Sequence, residues 1–396
     1  MRLSNTITTI TGGGSDGWDL FIKARKMISQ GHDITELTIG EHDIKTDTRI
    51  LEAMHAAALG GATGYAMVPG IDALRHAVAQ RLEERTGTAT TPDNVLITAG
   101  GQAALFAAFR AALDEGDTAL YINPYYATYP GTIRSVGGRP QAVVAEADNG
   151  FLPSYEALDA AATAAAARGA PAKALLINSP NNPTGAVYPR DTLAAIAAVA
   201  VKHDLIVISD EVYDTQVWEG EHLSIRALEG MAERCFVVGS MSKSHAMTGS
   251  RVGWLVGPEA AMGHVLNLLT NTNYGVAGFT QEAALFALGL GSAFEADIAA
   301  PFQRRRALAQ KALEGQNAIR LSKPSGAMYL MLDIRATGLS GDAFADKLLM
   351  ERAIAVMPGE SFGSAAAGHV RIAMTIPDAP FEAAIKEIAA FSAALV

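Results

Sequence analysis

The chain has 396 residues, 49% of them apolar and 18% charged, a globular composition long enough for two domains or more. Its net charge of −10, with no Lys/Arg-rich run, argues against a nucleic-acid partner, which needs a concentrated basic surface. Cys235 is the single cysteine, so no intramolecular disulfide can form.

Residues 1–6 lack the apolar core of a secretory signal. Ala-rich stretches such as 160–167 are too short and too weakly apolar to span a bilayer. A cytoplasmic protein with no membrane association is expected. Gly12-Gly13-Gly14-Ser15-Asp16-Gly17 formally satisfies G-x-G-x-x-G, but no buried strand precedes it and no βαβ unit follows, so a dinucleotide site is rejected.

From about residue 90 to 290, β-rich runs alternate with helical ones. Residues 95–98, 118–122, 174–177, 205–208, 236–238 and 252–256 read as strands, with helices over 102–113 and 193–202. Near-continuous apolar strands separated by helices predict an α/β fold with a mostly parallel sheet covered on both faces. Beyond it, strands at 328–332, 353–357 and 369–373 between helices, and a final helix from about Phe381, predict a smaller α+β domain.

Polar groups gather where the apolar strands end, which is where open α/β sheets bind ligands. They are Gly100-Gly101-Gln102, Asn123-Pro124-Tyr125-Tyr126, Asn178 with Asn181-Asn182-Pro183, Asp210-Glu211-Val212-Tyr213 and Ser240-Met241-Ser242-Lys243. A lone Lys243 is most often a solvated loop lysine. Five such ends outweigh that reading. An amine at a sheet edge can form a Schiff base with a carbonyl, and Arg251, eight residues on, can hold a phosphate bidentately. An aldehyde and a phosphate together point to pyridoxal phosphate. Asp210, directly after a buried run, can keep a pyridine nitrogen protonated. Tyr213 and Asn182 can reach the ring's phenolic oxygen, and Tyr126 can stack on its face. Gly101 opens a helix whose free N–H groups suit a phosphate. No histidine or cysteine spacing resembles a metal site, and His245 reads as a packing residue.

Together these residues resemble the class I/II, fold-type I pyridoxal-phosphate aminotransferases. The likeness runs from Leu37-Thr38-Ile39-Gly40 to Val370-Arg371-Ile372-Ala373. It includes Tyr65 with Pro69-Gly70, Asn182-Pro183-Thr184-Gly185 and Pro358-Gly359-Glu360-Ser361-Phe362-Gly363. The resemblance implies a large cofactor-binding domain over 37–288 with a seven-stranded sheet, a small domain over 289–396, and an N-terminal segment, 1–36, packed on the latter. It implies Lys243 as Schiff-base former and proton shuttle, Asp210 on the pyridinium, Tyr213 and Asn182 on the phenolic oxygen, and Tyr126 on the ring. Gly101, Gln102, Ser240 and Arg251 would hold the phosphate with Tyr65 of a neighbouring subunit, hence a homodimer. Arg371 would clamp the substrate α-carboxylate, supported by Asn182 and the backbone of Gly40.

The expected reaction moves an amino group from an L-amino acid to a 2-oxo acid such as 2-oxoglutarate by a ping-pong route, with an aspartate-like preference among the substrates left open. A β-lyase or decarboxylase on the same scaffold, or a non-enzymatic cofactor-binding regulator, are the alternatives. Three positions depart from common members. Tyr126 stands where many carry Trp, and His42 replaces a frequent Pro. Gln102 stands where some aspartate-preferring relatives carry a lysine, which weakens a dicarboxylate preference. Asn271-Thr272-Asn273-Tyr274 is unusual and is expected beside a neighbouring pocket.

Overall fold

A computed structural model describes residues 1–12 and 17–396. Most of the glycine-rich stretch at 12–17 therefore lies outside the described residues. A short strand β1 (Thr35–Glu36) precedes the main sheet. That sheet comprises β2 (Val95–Thr98), β3 (Thr118–Asn123), β4 (Arg139–Val144), β5 (Ala172–Asn178), β6 (Ile206–Asp210), β7 (Cys235–Ser240) and β8 (Gly253–Val256). Its order is β2-β8-β7-β6-β5-β3-β4, with β8 antiparallel to both neighbours and every other pairing parallel.

The apolar runs are continuous because both sheet faces are covered. On β3, Leu120 and Ile122 enter one core while Ala119 and Tyr121 enter another; on β6, Val207 and Ile208 divide the same way. Each fully buried Leu, Ile or Val contributes about 1.5–3 kcal/mol, so alternation would waste a face. Strand β4 is absent from the sequence expectation for a related reason. It is the sheet's edge, carries Pro140, and leaves most of its residues exposed or half-buried. An edge strand tolerates a missing N–H and shows no apolar run.

The C-terminal third holds β9 (Arg320–Leu321), β10 (Tyr329–Asp333), β11 (Ile354–Ala355), β12 (Met357–Pro358) and β13 (His369–Ala373). Four of them form an antiparallel sheet in the order β12-β13-β10-β9, while β11 pairs in parallel with β1. The single strand expected over 353–357 is thus two. Its halves pair with different sheets, a split that no local pattern encodes. A third core joins these elements to Leu20, Ala24 and Leu37. The helix Gly291–Ala312 reaches both bodies, with Phe302 in this core and Glu295 ion-paired to Arg81 and Arg85. Among the described residues no single helix is long and apolar enough to cross a membrane.

Register brings the polar strand ends together. Asn178 on β5 is opposite Asp210 on β6, and Asp210 is opposite Val238 on β7. Ser240 at the end of β7 is opposite Gly253.

Candidate active site

Strand β7 stops where Ser240 turns its Oγ onto the Ser242 N–H at 3.1 Å, capping a one-turn helix, Met241–Ser244. Lys243 projects from that turn and its Nζ donates to the Gly40 carbonyl. Burial lowers the Lys243 pKa to about 8; Glu41 opposes this, while Arg371 and Arg251 add to it. Roughly a tenth of the amine is therefore neutral at pH 7, far more than for an ordinary lysine, which favours its use as a nucleophile and proton carrier.

Asp210 closes β6, only 5% exposed. Its Oδ2 accepts from the Tyr129 hydroxyl at 2.7 Å and its Oδ1 from the Val212 N–H at 3.3 Å. Burial nonetheless raises its pKa to about 6, since those two donors only partly offset desolvation. Asn178 braces the turn by donating to the Asp210 carbonyl at 2.9 Å and accepting from the Asn182 N–H at 2.8 Å. The Tyr213 and Tyr329 hydroxyls lie 2.9 Å apart.

Arg371 sits in β13, 1% exposed, with its guanidinium between the Tyr329 and Phe362 rings at 4.5 and 4.4 Å. Nη1 donates to Asn182 Oδ1 at 2.9 Å and Nη2 to the Thr38 carbonyl. Its Nε is buried without a hydrogen-bond partner among the described residues. Burial depresses its pKa.

On the opposite side, Gly100 has φ +81°, and a Cβ there would lie 2.4 Å from Arg251 Nη2. Only glycine lets the backbone come so close ahead of the helix Gly101–Ala112. Arg251 adopts the left-handed conformation and, among the described residues, donates to the carbonyls of Thr248 at 2.9 Å and Ala99 at 3.3 Å. Gln102 is turned aside: its Nε2 donates to Thr132 Oγ1 at 2.7 Å, and its Oε1 accepts from Thr128 Oγ1 at 3.1 Å. Its side-chain amide is thus engaged by two threonines at the cavity edge.

One cavity of about 380 Å³ gathers Lys243, Asp210, Tyr213, Asn182, Tyr126, Gly101, Gln102, Ser240, Arg251, Arg371 and Gly40. Tyr65 is the exception. It is 93% exposed and packs edge-on against Tyr274, ring centres 5.2 Å apart. Trp18, Tyr129 and Tyr329 also line the cavity and were not expected. A larger cavity of about 1220 Å³ adjoins it through Trp18, Gln102 and Arg251, and Thr272 and Asn273 line its wall. His245 is fully buried, stacked on Phe294 and hydrogen-bonded to Ser244, as a packing residue would be.

The residues fit pyridoxal phosphate on their own chemistry. A buried carboxylate with no cation hydrogen-bonded to it among the described residues suits a pyridinium nitrogen. A glycine-lined helix start beside an arginine suits a phosphate, and a partly neutral lysine suits an aldehyde. Arg371, with a buried Nε left over, suits a carboxylate.

Comparison with known proteins follows the same line. The family model described as aminotransferase class I and II matches residues 32–388. The chain is 39% identical to the arginine–pyruvate transaminase AruH of Pseudomonas aeruginosa over 100% of this chain and 99% of that one. It is 37% identical to the aspartate/prephenate aminotransferase of Thermus thermophilus over 93% of each. Among solved structures, the Thermus thermophilus aspartate aminotransferase with maleate superposes with a TM-score of 0.90 at 34% identity, covering 100% of both chains.

Proposed function

The chain belongs to the class I and II aminotransferases and is pyridoxal-phosphate dependent, and from that membership we propose how its own residues divide the work. Bound in the cavity, the cofactor supplies an electron sink for the carbanion formed at the substrate Cα. Lys243 attaches the cofactor and then, as a partly neutral amine, carries the proton to and from Cα. Asp210 holds the pyridinium proton, and Tyr129 holds Asp210. Tyr213 and Asn182 would bind the phenolic oxygen, Tyr126 would cover the ring, and Gly101, Gln102, Ser240 and Arg251 would bind the phosphate, with the Gln102 amide also held by Thr128 and Thr132. Arg371 takes the substrate α-carboxylate, supported by Asn182 and the Gly40 backbone. The observation that carries this reading is the pairing of Lys243 with the buried, half-used guanidinium of Arg371 across one cavity.

Substrate preference follows from Gln102. Its amide is spent on two threonines, so it presents no charged group to a distal carboxylate. A monocarboxylic 2-oxo acid such as pyruvate, and amino donors with neutral or basic side chains, suit the site better than dicarboxylates. The name of the Pseudomonas relative points the same way.

Tyr65 would serve the site of a second copy. It is exposed and packs on the exposed Tyr274, and a homodimer would cover this aromatic pair. A cytoplasmic homodimer, divided into residues 1–36, 37–288 and 289–396, completes the proposal.

Half-reactions test it. The loaded protein mixed with an amino donor alone should lose its visible cofactor band and release the matching 2-oxo acid, and pyruvate should restore the band. Release of pyruvate with ammonia, or of carbon dioxide, without loss of the band would favour a lyase or decarboxylase instead.

A further inference from the structure

Residues 37–46 form a strap held almost residue by residue. The Leu37 carbonyl accepts from the Ala373 N–H at 2.9 Å, the Thr38 carbonyl from Arg371, and the Ile39 carbonyl from Thr375 Oγ1 at 3.0 Å. Beyond these, the contacts change body. The Gly40 carbonyl accepts from Lys243 Nζ, Glu41 from Thr248 Oγ1 at 2.9 Å, and Thr46 Oγ1 donates to the Ala246 carbonyl at 2.6 Å. Two carbonyls of one strap, those of Thr38 and Gly40, thus touch the carboxylate clamp and the reacting amine.

Asp43 anchors that strap. Arg305, on the helix Gly291–Ala312, grips it bidentately, Nη1 to Oδ1 at 2.9 Å and Nη2 to Oδ2 at 2.7 Å. The same guanidinium donates from Nη1 to the Met374 carbonyl at 2.9 Å and from Nε to Asp378 Oδ1 at 2.8 Å. Arg305 is 3% exposed and does not line the cavity. One fully engaged fork therefore ties together the long helix, the strap and the segment that follows Arg371's strand. A planar bidentate pair fixes orientation as well as distance.

We propose that Arg305 is a positioning residue for transamination. Acting through Asp43, it sets the register of the strap and with it the spacing between Lys243 and Arg371. The proposal rests on the roles assigned above to those two residues. Small errors in that spacing are costly, since a displacement of about 1 Å between reacting groups can lower rates about 100-fold.

Asp378 supplies the control. Asp43→Asn and Asp378→Asn each remove one carboxylate from Arg305, but only Asp43 lies on the strap. With the cofactor-loaded protein, Asp43→Asn should lower kcat about 10-fold and raise KM for both amino donor and 2-oxo acid about 10-fold. The dissociation constant of propionate, an unreactive carboxylate read through the cofactor absorbance, should rise in parallel. Asp378→Asn should leave all three within about twofold. Equal effects of the two changes, or unaltered propionate binding in Asp43→Asn, would overturn the proposal. Should Asp43→Asn not fold, Arg305→Lys keeps the charge, removes the fork and is read against the same outcomes. Propionate binding also separates this claim from the reaction itself: a protein without transaminase turnover defeats the functional reading, while its propionate affinity still tests the strap.

Discussion

The Tyr129 hydroxyl donates to Asp210 Oδ2 at 2.7 Å inside a buried pocket. Tyr129 is thereby the one side chain hydrogen-bonded to that carboxylate among the described residues, the second donor being the Val212 N–H. A hydrogen bond to a charged group contributes about 1.5–3 kcal/mol, and here it favours the ionised form that a pyridinium needs. Tyr129→Phe should raise the Asp210 pKa further above about 6, reducing its charge near neutrality. Cofactor affinity, measured by fluorescence titration of the cofactor-free protein, should fall about 10-fold, with kcat reduced as well. Unchanged affinity would show that Tyr129 does not hold Asp210 in its working state.

Stability of the cofactor-free chain should carry the signature of Lys243. Burial places its folded pKa at about 8, against 10.5 as the reference value. Between those two values the unfolded chain binds more protons than the folded one, so stability must rise with pH across that window. The contribution is complete above 10.5 and is lost as pH falls toward 8. Urea titrations from pH 7.5 to 10.5, comparing wild type with Lys243→Met, should show wild type gaining on the variant by at most about 3 kcal/mol. A constant difference would mean that the amine is not desolvated. In the loaded protein, the same substitution should abolish both the visible band and turnover.

Much of this site was legible because its groups end strands. Lys243, Asp210 and Asn182 each follow an apolar run, so the sheet rule places them at one crevice even without knowledge of strand order. Tyr129 and Tyr329 were not legible. Each is a buried residue within a helix or strand, where a tyrosine reads as core, and only tertiary packing brings its hydroxyl to a partner. The strap at 37–46 was recognisable only by likeness. It has no helical or strand period, because its backbone is satisfied by Arg371, Thr375 and Lys243 instead of by a ladder. For Gln102 the helix start was legible, but the partners of its amide, Thr128 and Thr132, lie 26 and 30 residues along the chain and were not.

Tyr65 gives a test of shared sites. It lies outside the cavity of its own chain and is 93% exposed, so replacing it should scarcely alter the stability of one chain. Tyr65→Ala and Lys243→Ala homodimers should each be nearly inactive. Mixed and refolded together, they should form heterodimers in which one site has neither change, and activity should reappear. No recovery on mixing, with heterodimers present, would place Tyr65 in the site of its own chain or outside any site.

Arg371 separates affinity from stability. Among the described residues its buried guanidinium has no carboxylate in contact and its Nε has no partner, so the cofactor-free fold carries an uncompensated charge. Removing a charge that is paired inside a protein typically costs about 3–5 kcal/mol, because its partner is stranded. Here the stranded groups are only the Asn182 amide oxygen and the Thr38 carbonyl, worth about 1–3 kcal/mol each, and relief of the buried charge opposes that loss. Arg371→Met, which keeps the packing between Tyr329 and Phe362, should therefore leave the melting temperature of the cofactor-free protein within about 3 °C of wild type. In the loaded enzyme it should raise KM for amino donor and 2-oxo acid about 100-fold, through loss of a charge-assisted bidentate contact. A large fall in melting temperature with little change in KM would assign Arg371 to the architecture of the fold and leave the α-carboxylate to another group.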